Sequence, residues 1–328
     1  MYFSKIAGTG SYLPEKRMTN HDLEKIVETS HDWIIERTGI VERRIAGPSE
    51  ATSDLGLKAA GRALEMANMS AKDIDSIIFA TVSPDQPIPS TACFLQNSLG
   101  ARPIMAFDLV AACSGFVYGL SLTDQMIKTG MIKTGLVVGA EVLSRIVNYE
   151  DRDTCILFGD GAGAAIVTRA EEGEPSKILS HHIHSDGSLH HLFETIGGGT
   201  RKPLSPEVIE NREHYMKMKG REIFKHAVRT LTQCCEEAIQ ANGFSGEDID
   251  WLVPHQANIR ILEAVAKSFS IPMEKVIVNI EKYGNTSAAT VPIALDEAVR
   301  DGRIKRGQLV LLTAFGAGLT SGSSLLRF

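Results

Sequence analysis

The chain has 328 residues, of which 43 % are hydrophobic and 23 % are charged, and its net charge at pH 7 is -6. The acidic balance argues against a general nucleic-acid binder, and no apolar run approaches the roughly 20 residues that span a bilayer. The length exceeds what one hydrophobic core usually serves, so two domains or two fused halves are expected.

The N-terminal stretch MYFSKIAGTGSYLPEK lacks the basic and continuous apolar regions of a secretion signal, which favours a cytoplasmic protein. The cysteines are odd in number, and none lies in a CxxC pair or at zinc-ligand spacing: Cys93, Cys113, Cys155, Cys234 and Cys235. The sequence therefore predicts neither a disulfide framework nor a metal site.

Two repeated stretches organise the chain. SAKDIDSIIFAT at 70–81 recurs as SGEDIDWLVPHQ at 245–256, and GMIKTGLVVGA at 130–140 recurs as GRIKRGQLVLL at 302–312. The two offsets, 175 and 172 residues, are similar, and the matches cover helix, turn and strand patterns rather than a single motif. Because continuous apolar strands alternate with helices, the repeats predict a layered α/β protein of two duplicated halves, residues 1–174 and 175–328.

In the first half, DLVAACSGF at 108–116 places Cys113 between an apolar strand and a predicted buried helix. Helix N–H groups at such a junction are expected to lower the pKa of the thiol and activate it as a nucleophile. Free cysteine is also a common core residue, and this segment alone leaves both interpretations open.

Two other stretches suggest ligand sites less strongly. FGDGAGAAIV at 158–167 lacks the spacing of a phosphate-binding loop, so its glycines are expected to allow close packing or to support a site loop. HHIHSDGSLHH at 181–191 has no fixed metal-ligand spacing and is more typical of a strand that enters a turn.

In the second half, VPHQAN places His255 at the end of a strand, where α/β sheets form their sites. Adding the offset of 172 to Cys113 reaches Asn285 in KYGNTSAAT, which predicts that both residues occupy corresponding strand-to-helix junctions. If the halves pack about a pseudo-twofold axis, the three side chains converge. A buried or surface histidine and an ordinary Gly-Asn turn are the alternatives.

In this order, DLVAACSGF, VPHQAN, KYGNTSAAT and AFGAGLTSG resemble the β-ketoacyl-acyl carrier protein synthase III family of the thiolase superfamily. The resemblance extends from IAGTGSYLPEKRMTN to SLLRF. It implies a duplicated five-layer αβαβα fold and a Cys-His-Asn triad of Cys113, His255 and Asn285. It also implies an oxyanion hole formed by the backbone N–H groups of Cys113 and Gly316.

The reaction that the resemblance implies begins with transfer of an acyl group from acyl-CoA to Cys113. Malonyl-acyl carrier protein then loses CO2, and its enolate, held by His255 and Asn285, attacks the acyl-cysteine. Such a reaction needs no metal or redox cofactor.

The resemblance further implies two binding regions. Residues for CoA are Trp33, Arg37, Arg152, Gly220, Phe224 and Asn258, and a basic patch for the carrier protein consists of Lys225, Arg260 and Lys267. Trp33 as a core residue, Arg152 as a surface charge and the patch as a solvated helix face are the alternatives.

Ile88, between Pro87 and Pro89, stands where some members of the family carry a large aromatic residue. In the family, this loop crosses a homodimer interface and closes the acyl pocket of the partner. The resemblance therefore implies a homodimer and a primer pocket limited by Ile88.

The leading hypothesis is the condensing enzyme that starts fatty-acid synthesis. A condensing enzyme of secondary metabolism has the same fold and triad. A cysteine acyl-CoA hydrolase that uses Cys113 and His255, or a catalytically silent acyl-binding protein, would belong to other classes.

Overall fold

The computed structural model describes residues 2–328. The strands are β1 (Ser4–Tyr12), β2 (Lys16–Thr19), β3 (Glu42–Ile45), β4 (Ser76–Ala80), β5 (Met105–Leu109), β6 (Thr134–Glu141), β7 (Gly161–Arg169), β8 (Lys177–Ser185), β9 (Phe193–Glu194), β10 (Lys217–Met218), β11 (Trp251–Pro254), β12 (Leu309–Gly316) and β13 (Thr320–Arg327). The α-helices are α1 (Asn20–Leu23), α2 (His31–Thr38), α3 (Thr52–Ala67), α4 (Thr91–Leu99), α5 (Gly115–Lys128), α6 (Arg152–Cys155), α7 (Pro206–Glu210), α8 (Gly220–Ala241), α9 (Ile259–Ser268), α10 (Ile280–Tyr283) and α11 (Thr290–Arg300).

Two large sheets repeat one topology. The first has the order β1-β7-β6-β4-β5, and the second has the order β8-β13-β12-β11. In the first sheet, β4 runs parallel to β5 and β6, while β7 is antiparallel to β1 and β6. In the second, β11 runs parallel to β12, and β13 is antiparallel to β12 and β8. A parallel bridge between Leu252 and Val276 lies where β5 lies in the first sheet.

Three buried clusters separate five layers. One cluster joins α3 and α4 to the first sheet, and a second joins α8 and α9 to the second sheet. The third cluster lies between the sheets and includes Phe116 of α5 and Leu295 of α11. The strands that face helices on both sides are almost entirely buried, as continuous apolar runs such as that of β6 require.

The duplicated junctions align at an offset of 175 residues rather than 172. A 3-10 helix of residues Ala112–Ser114 precedes α5, and one of residues Ser287–Ala289 precedes α11. The first residue of each has a positive φ, +46° at Ala112 and +50° at Ser287. Because α11 has 11 residues and α5 has 14, the offset is 172 only just after these helices. Ala288, not Asn285, is therefore the counterpart of Cys113.

Other expectations for the fold can be compared directly. The first sheet uses residues 4–169 and the second uses residues 177–327, while the domain boundary at 174/175 stays a prediction. Gly163 of β7 packs against Pro292 and Ile293, so the glycines of this strand allow close packing, as expected. The histidine-rich stretch forms the end of β8 and a following turn, which confirms the strand interpretation. Among residues 2–328, no helix is long and apolar enough to cross a membrane.

Candidate active site

Cys113 lies at the junction between β5 and α5, as the sequence predicts. It is the middle residue of the 3-10 helix Ala112–Ser114, directly ahead of Gly115, where α5 begins. Only 5 % of its surface is exposed, and it borders a cavity. Gly115 packs against Ala80 at the end of β4, so the helix start lies directly on the first sheet.

Gly316 ends β12 against the same junction. A Cβ atom at position 316 would lie 2.6 Å from the backbone nitrogen of Cys113. This distance is too short for a real side chain, so only glycine allows the end of β12 to approach the thiol-bearing residue so closely. The pairing of Gly316 and Cys113 thus depends on the second half packing on the first.

Asn285 is held next to the second junction. Its backbone pairs with Leu157 and Gly159, and its side-chain oxygen accepts a 2.8 Å hydrogen bond from the backbone N–H of Ser287. Because the oxygen is occupied in this way, the amide NH2 remains as a donor. Asn285 is 6 % exposed, and the side chain of Ser287 hydrogen-bonds the Cys113 thiol.

His255 directly follows β11, the neighbour of β12 in the second sheet. Its backbone N–H donates to the carbonyl oxygen of Thr313 at 2.8 Å, three residues before Gly316. The turn is braced by Gln256, whose amide donates to Pro254 and Ile277. The imidazole is 2 % exposed, and its Nδ1 atom has no hydrogen-bond partner among residues 2–328.

Burial sets the charge state of this region. It lowers the pKa of His255 to about 3, so the imidazole is neutral at physiological pH. Burial also raises the pKa of the Cys113 thiol to about 12, while the hydrogen bond from Ser287 lowers it and the charge of Glu141 raises it. The expectation that the helix start lowers the pKa of this thiol is therefore wrong for the resting site, because desolvation outweighs the helix.

A cavity of about 170 Å³ opens beside the thiol. Its lining is mainly apolar, with Val82, Leu143, Ile146, Phe158, Phe193 and Met216 among the wall residues, and Cys113 and Ser287 at one side. An apolar chamber next to a nucleophile is suited to a short acyl chain.

Trp33 lies between two arginine side chains rather than in the core. The guanidinium carbon of Arg37 is 4.4 Å from the centre of the indole ring, and that of Arg152 is 4.6 Å from it. Both arginines are exposed and Trp33 is half-buried. The Asn258 amide donates to the Arg37 carbonyl oxygen at 2.6 Å and also caps α9, which ties this cluster to the strand end that carries His255.

The remaining predicted binding residues lie on α8 and α9. Gly220 begins α8 and is exposed, and Phe224, one turn later, is half-buried with the guanidinium carbon of Arg260 5.9 Å from its ring centre. Lys225, Arg260 and Lys267 are exposed, and among residues 2–328 none of them pairs with a carboxylate. Three uncompensated cations thus share the α8–α9 surface.

Ile88 does not border the cavity of its own chain. It is 84 % exposed in the loop between β4 and α4. A role for Ile88 in a primer pocket therefore requires a second copy of the chain.

Comparison with known proteins places this architecture. Residues 107–187 match the family model "3-Oxoacyl-[acyl-carrier-protein (ACP)] synthase III", and residues 239–328 match the model of its C-terminal domain. The chain is 52 % identical to a β-ketoacyl-[acyl-carrier-protein] synthase III of Alkalilimnicola ehrlichii, with 100 % of each chain covered. A second such protein, from Caldanaerobacter subterraneus, is 53 % identical over 98 % of this chain and 97 % of its own. The chain belongs to the β-ketoacyl-acyl carrier protein synthase III family.

Solved structures agree with this membership. The crystal structure of 3-oxoacyl-[acyl-carrier-protein] synthase III from Aquifex aeolicus superposes with a TM-score of 0.92 at 50 % identity, covering 99 % of this chain and 100 % of that one. The predicted resemblance to the synthase III family and the thiolase-like fold class are confirmed. As a member of this family, the chain is an acyl-transferring condensing enzyme.

The synthase III motifs did not reveal two polar residues of the site. Ser287 lies two residues after Asn285 and hydrogen-bonds both the Cys113 thiol and the Glu141 carboxylate. Glu141 ends β6 and is fully buried. A signal was available, because Glu141 is a charged residue at the end of an otherwise apolar strand, TGLVVGA.

Proposed function

We propose that this synthase III condenses an acyl-CoA primer with malonyl-acyl carrier protein, with loss of CO2, and so starts fatty-acid synthesis through an acyl-Cys113 intermediate. The observation that carries the proposal is the meeting of Cys113, Gly316 and the Asn285–Ser287 turn beside one apolar cavity. The membership in the family supports the choice of both substrates.

In the first half-reaction, the Cys113 sulfur attacks the thioester carbonyl of acyl-CoA. The carbonyl oxygen gains negative charge, which the backbone N–H groups of Cys113 and Gly316 stabilise. Collapse of the tetrahedral intermediate expels the CoA sulfur and leaves the acyl chain in the apolar cavity. Neither step calls for a metal or a redox cofactor.

In the second half-reaction, malonyl-acyl carrier protein loses CO2 and forms a thioester enolate. The Asn285 amide and a ring N–H of neutral His255 donate hydrogen bonds to the enolate oxygen. The low pKa that burial gives His255 supports this role, because a neutral imidazole donates one hydrogen bond without protonating the carbanion. The carbanion then attacks the acyl-Cys113 carbonyl and releases the β-ketoacyl product.

The binding of CoA is assigned to the mouth of the site. The indole of Trp33 and the guanidinium groups of Arg37 and Arg152 provide a stacking surface for adenine and positive charge for phosphates. Gly220, Phe224 and Asn258 complete this proposed surface. The patch of Lys225, Arg260 and Lys267 is proposed to bind the acidic carrier protein, which predicts a salt-sensitive contact.

A homodimer is part of the proposal. Ile88 is 84 % exposed and Val110 is 77 % exposed, and both lie by β5, the edge strand of the first sheet. Exposed apolar side chains beside an open strand edge favour pairing with a second copy. Ile88 is then positioned to limit the primer pocket of the partner. Ile is smaller than an aromatic residue, so acyl groups longer or more branched than acetyl are expected to be accepted. The proposed location is the cytoplasm.

The test is mass spectrometry of the intact protein after exposure to acetyl-, isobutyryl-, butyryl- and hexanoyl-CoA, without a malonyl donor. We expect one acyl group on Cys113 in the wild type and none in Cys113→Ala, which should remain folded. Adding malonyl-acyl carrier protein should convert the adduct to β-ketoacyl product. Acyl groups on Cys93, Cys155, Cys234 or Cys235, or turnover to free acid without the malonyl donor, would contradict the proposal, the latter in favour of a hydrolase.

A condensing enzyme of secondary metabolism is the second candidate. The priming β-ketosynthase from the R1128 polyketide biosynthetic pathway superposes with a TM-score of 0.91, but at 32 % identity. Because the identity to the fatty-acid type synthases is above 50 %, the first assignment is favoured.

A further inference from the structure

The first half-reaction leaves a proton unaccounted for. The Cys113 thiol is buried and its pKa is raised, so the resting site holds S–H rather than thiolate. His255 is a weak acceptor, because burial lowers its pKa to about 3. Since the sulfur must lose its proton as it bonds to the primer, another acceptor must lie close to it.

Glu141 has the surroundings of such an acceptor. Its carboxylate is fully buried and accepts hydrogen bonds from the Thr81 hydroxyl, the backbone N–H groups of Val82 and Ser83, and the Ser83 hydroxyl at 2.5 Å. Within residues 2–328 it forms no ion pair. Burial raises the pKa of Glu141 to about 7, so both protonation states are accessible near neutral pH.

Ser287 connects the carboxylate to the thiol. Its side chain hydrogen-bonds Cys113 on one side and Glu141 on the other, and it borders the cavity. The groups that face Glu141 are otherwise hydroxyls and amides, and the titratable group opposite it is Cys113. A hydroxyl in this place accepts a proton from one neighbour while it donates its own to the other.

We propose that Ser287 is a catalytic residue of the acyl-transfer step and that Glu141, acting through it, takes up the Cys113 proton. As the bond between Sγ and the acyl carbon forms, the S–H bond breaks, Ser287 receives that proton, and Glu141 receives the original Ser287 proton. When the thioester bond to CoA breaks, the CoA sulfur keeps the electron pair and recovers the proton along the same path. The inference rests on the proposed role of Cys113 as the nucleophile.

The experiment measures the rate of acyl-Cys113 formation from acetyl-CoA alone, by quenched-flow mass spectrometry between pH 6 and pH 9. Glu141→Gln and Ser287→Ala should lower this rate about 10²- to 10⁴-fold at pH 7, the usual range for loss of proton transfer to a positioned group. The wild-type rate should rise with pH and level off once Glu141 is ionised. The variant rates should continue to rise, because hydroxide increasingly replaces the internal acceptor.

Two controls separate proton transfer from structural damage. Asp160 is also a buried carboxylate, bonded by Ala46 and Ser144, so Asp160→Asn should leave the rate within about twofold if proton transfer is specific to Glu141. Glu141→Asp should restore part of the rate. Ser287→Gly, which tolerates the positive φ, replaces Glu141→Gln in the test if that variant does not fold.

A Glu141→Gln enzyme with the wild-type rate and pH profile would overturn the inference, as would a loss that is the same at every pH. In both cases the acyl group on Cys113 would still be found, and the proposed function would stand. Absence of acylation in the wild type would instead contradict the proposed function itself.

Discussion

The two strand-to-helix junctions of the molecule share a backbone and differ in chemistry. Each begins with a residue of positive φ, Ala112 or Ser287, and each precedes a helix of the middle layer. The end of β12 packs on the first junction, and the end of β6 packs on the second, where Gly139 lies directly against Ala288. Duplication therefore supplied two equivalent frames, of which only the first carries a thiol.

The difference lies in the residue that ends each packing strand. At the offset of 175 residues, Gly316 of β12 corresponds to Glu141 of β6. Glycine leaves room above Cys113, where a substrate carbonyl must fit, whereas the glutamate fills the corresponding space with a hydrogen-bonded carboxylate. One junction is thus open for substrate, and the other is filled with polar groups that face the first.

The largest effect is expected from closing the open junction. Gly316→Ala adds a Cβ atom 2.6 Å from the Cys113 nitrogen, so β12 must move away and the oxyanion donors separate. We expect acyl-enzyme formation to fall on the order of 10³-fold, as for loss of an oxyanion donor. Gly61→Ala, on the exposed side of α3 with open space around it, is the matched control and should leave the rate unchanged. A Gly316→Ala enzyme with normal acylation would show that this approach is not needed.

A smaller and more selective loss is expected when the donors from the second half are removed. His255→Ala and Asn285→Ala should each reduce decarboxylation of malonyl-acyl carrier protein about 10²-fold, because their donors serve the enolate. Acylation of Cys113 should change much less. The measurement compares release of labelled CO2 with acyl-enzyme formation for each variant. Equal losses in both half-reactions would contradict the division of labour between the two junctions.

Much of this comparison could be predicted from the sequence. The repeated stretches indicated two similar halves, because apolar strand and helix patterns are local and survive duplication. The position of Cys113 before a helix and of His255 after a strand followed from the same local patterns. These features need no knowledge of how the halves pack.

The register of the repeat could not be predicted in the same way. The length of α11 is not visible from apolar periodicity, so one offset was applied where the junction has another. The pairing of Asn285 with Cys113 as equivalent residues was wrong for this reason, although both lie close to their junctions.

The electrostatics of the site also depend on contacts across the fold. Glu141 and Ser287 are 146 positions apart and meet only because the sheets face each other. The pKa of the Cys113 thiol depends on how completely the second half covers it, which no local pattern contains. The sequence therefore predicted which residues react better than how they are charged.

The smallest effect is expected from relaxing the backbone at the first junction. Ala112 adopts φ +46°, a conformation that costs a residue with a side chain roughly 1–2 kcal/mol, whereas glycine adopts it freely. Ala112→Gly removes that strain but increases the entropy of the unfolded chain, so thermal stability should change by less than about 1 kcal/mol. Because Ser287 keeps the same conformation in the other half, its hydrogen bonds should still hold Cys113, and acylation should fall only a few-fold. The measurements are a thermal melt and the rate of acyl-Cys113 formation. A loss of acylation above tenfold with unchanged stability would mean that the Ala112 side chain itself fixes the thiol, and that the two junctions are less alike than their backbones.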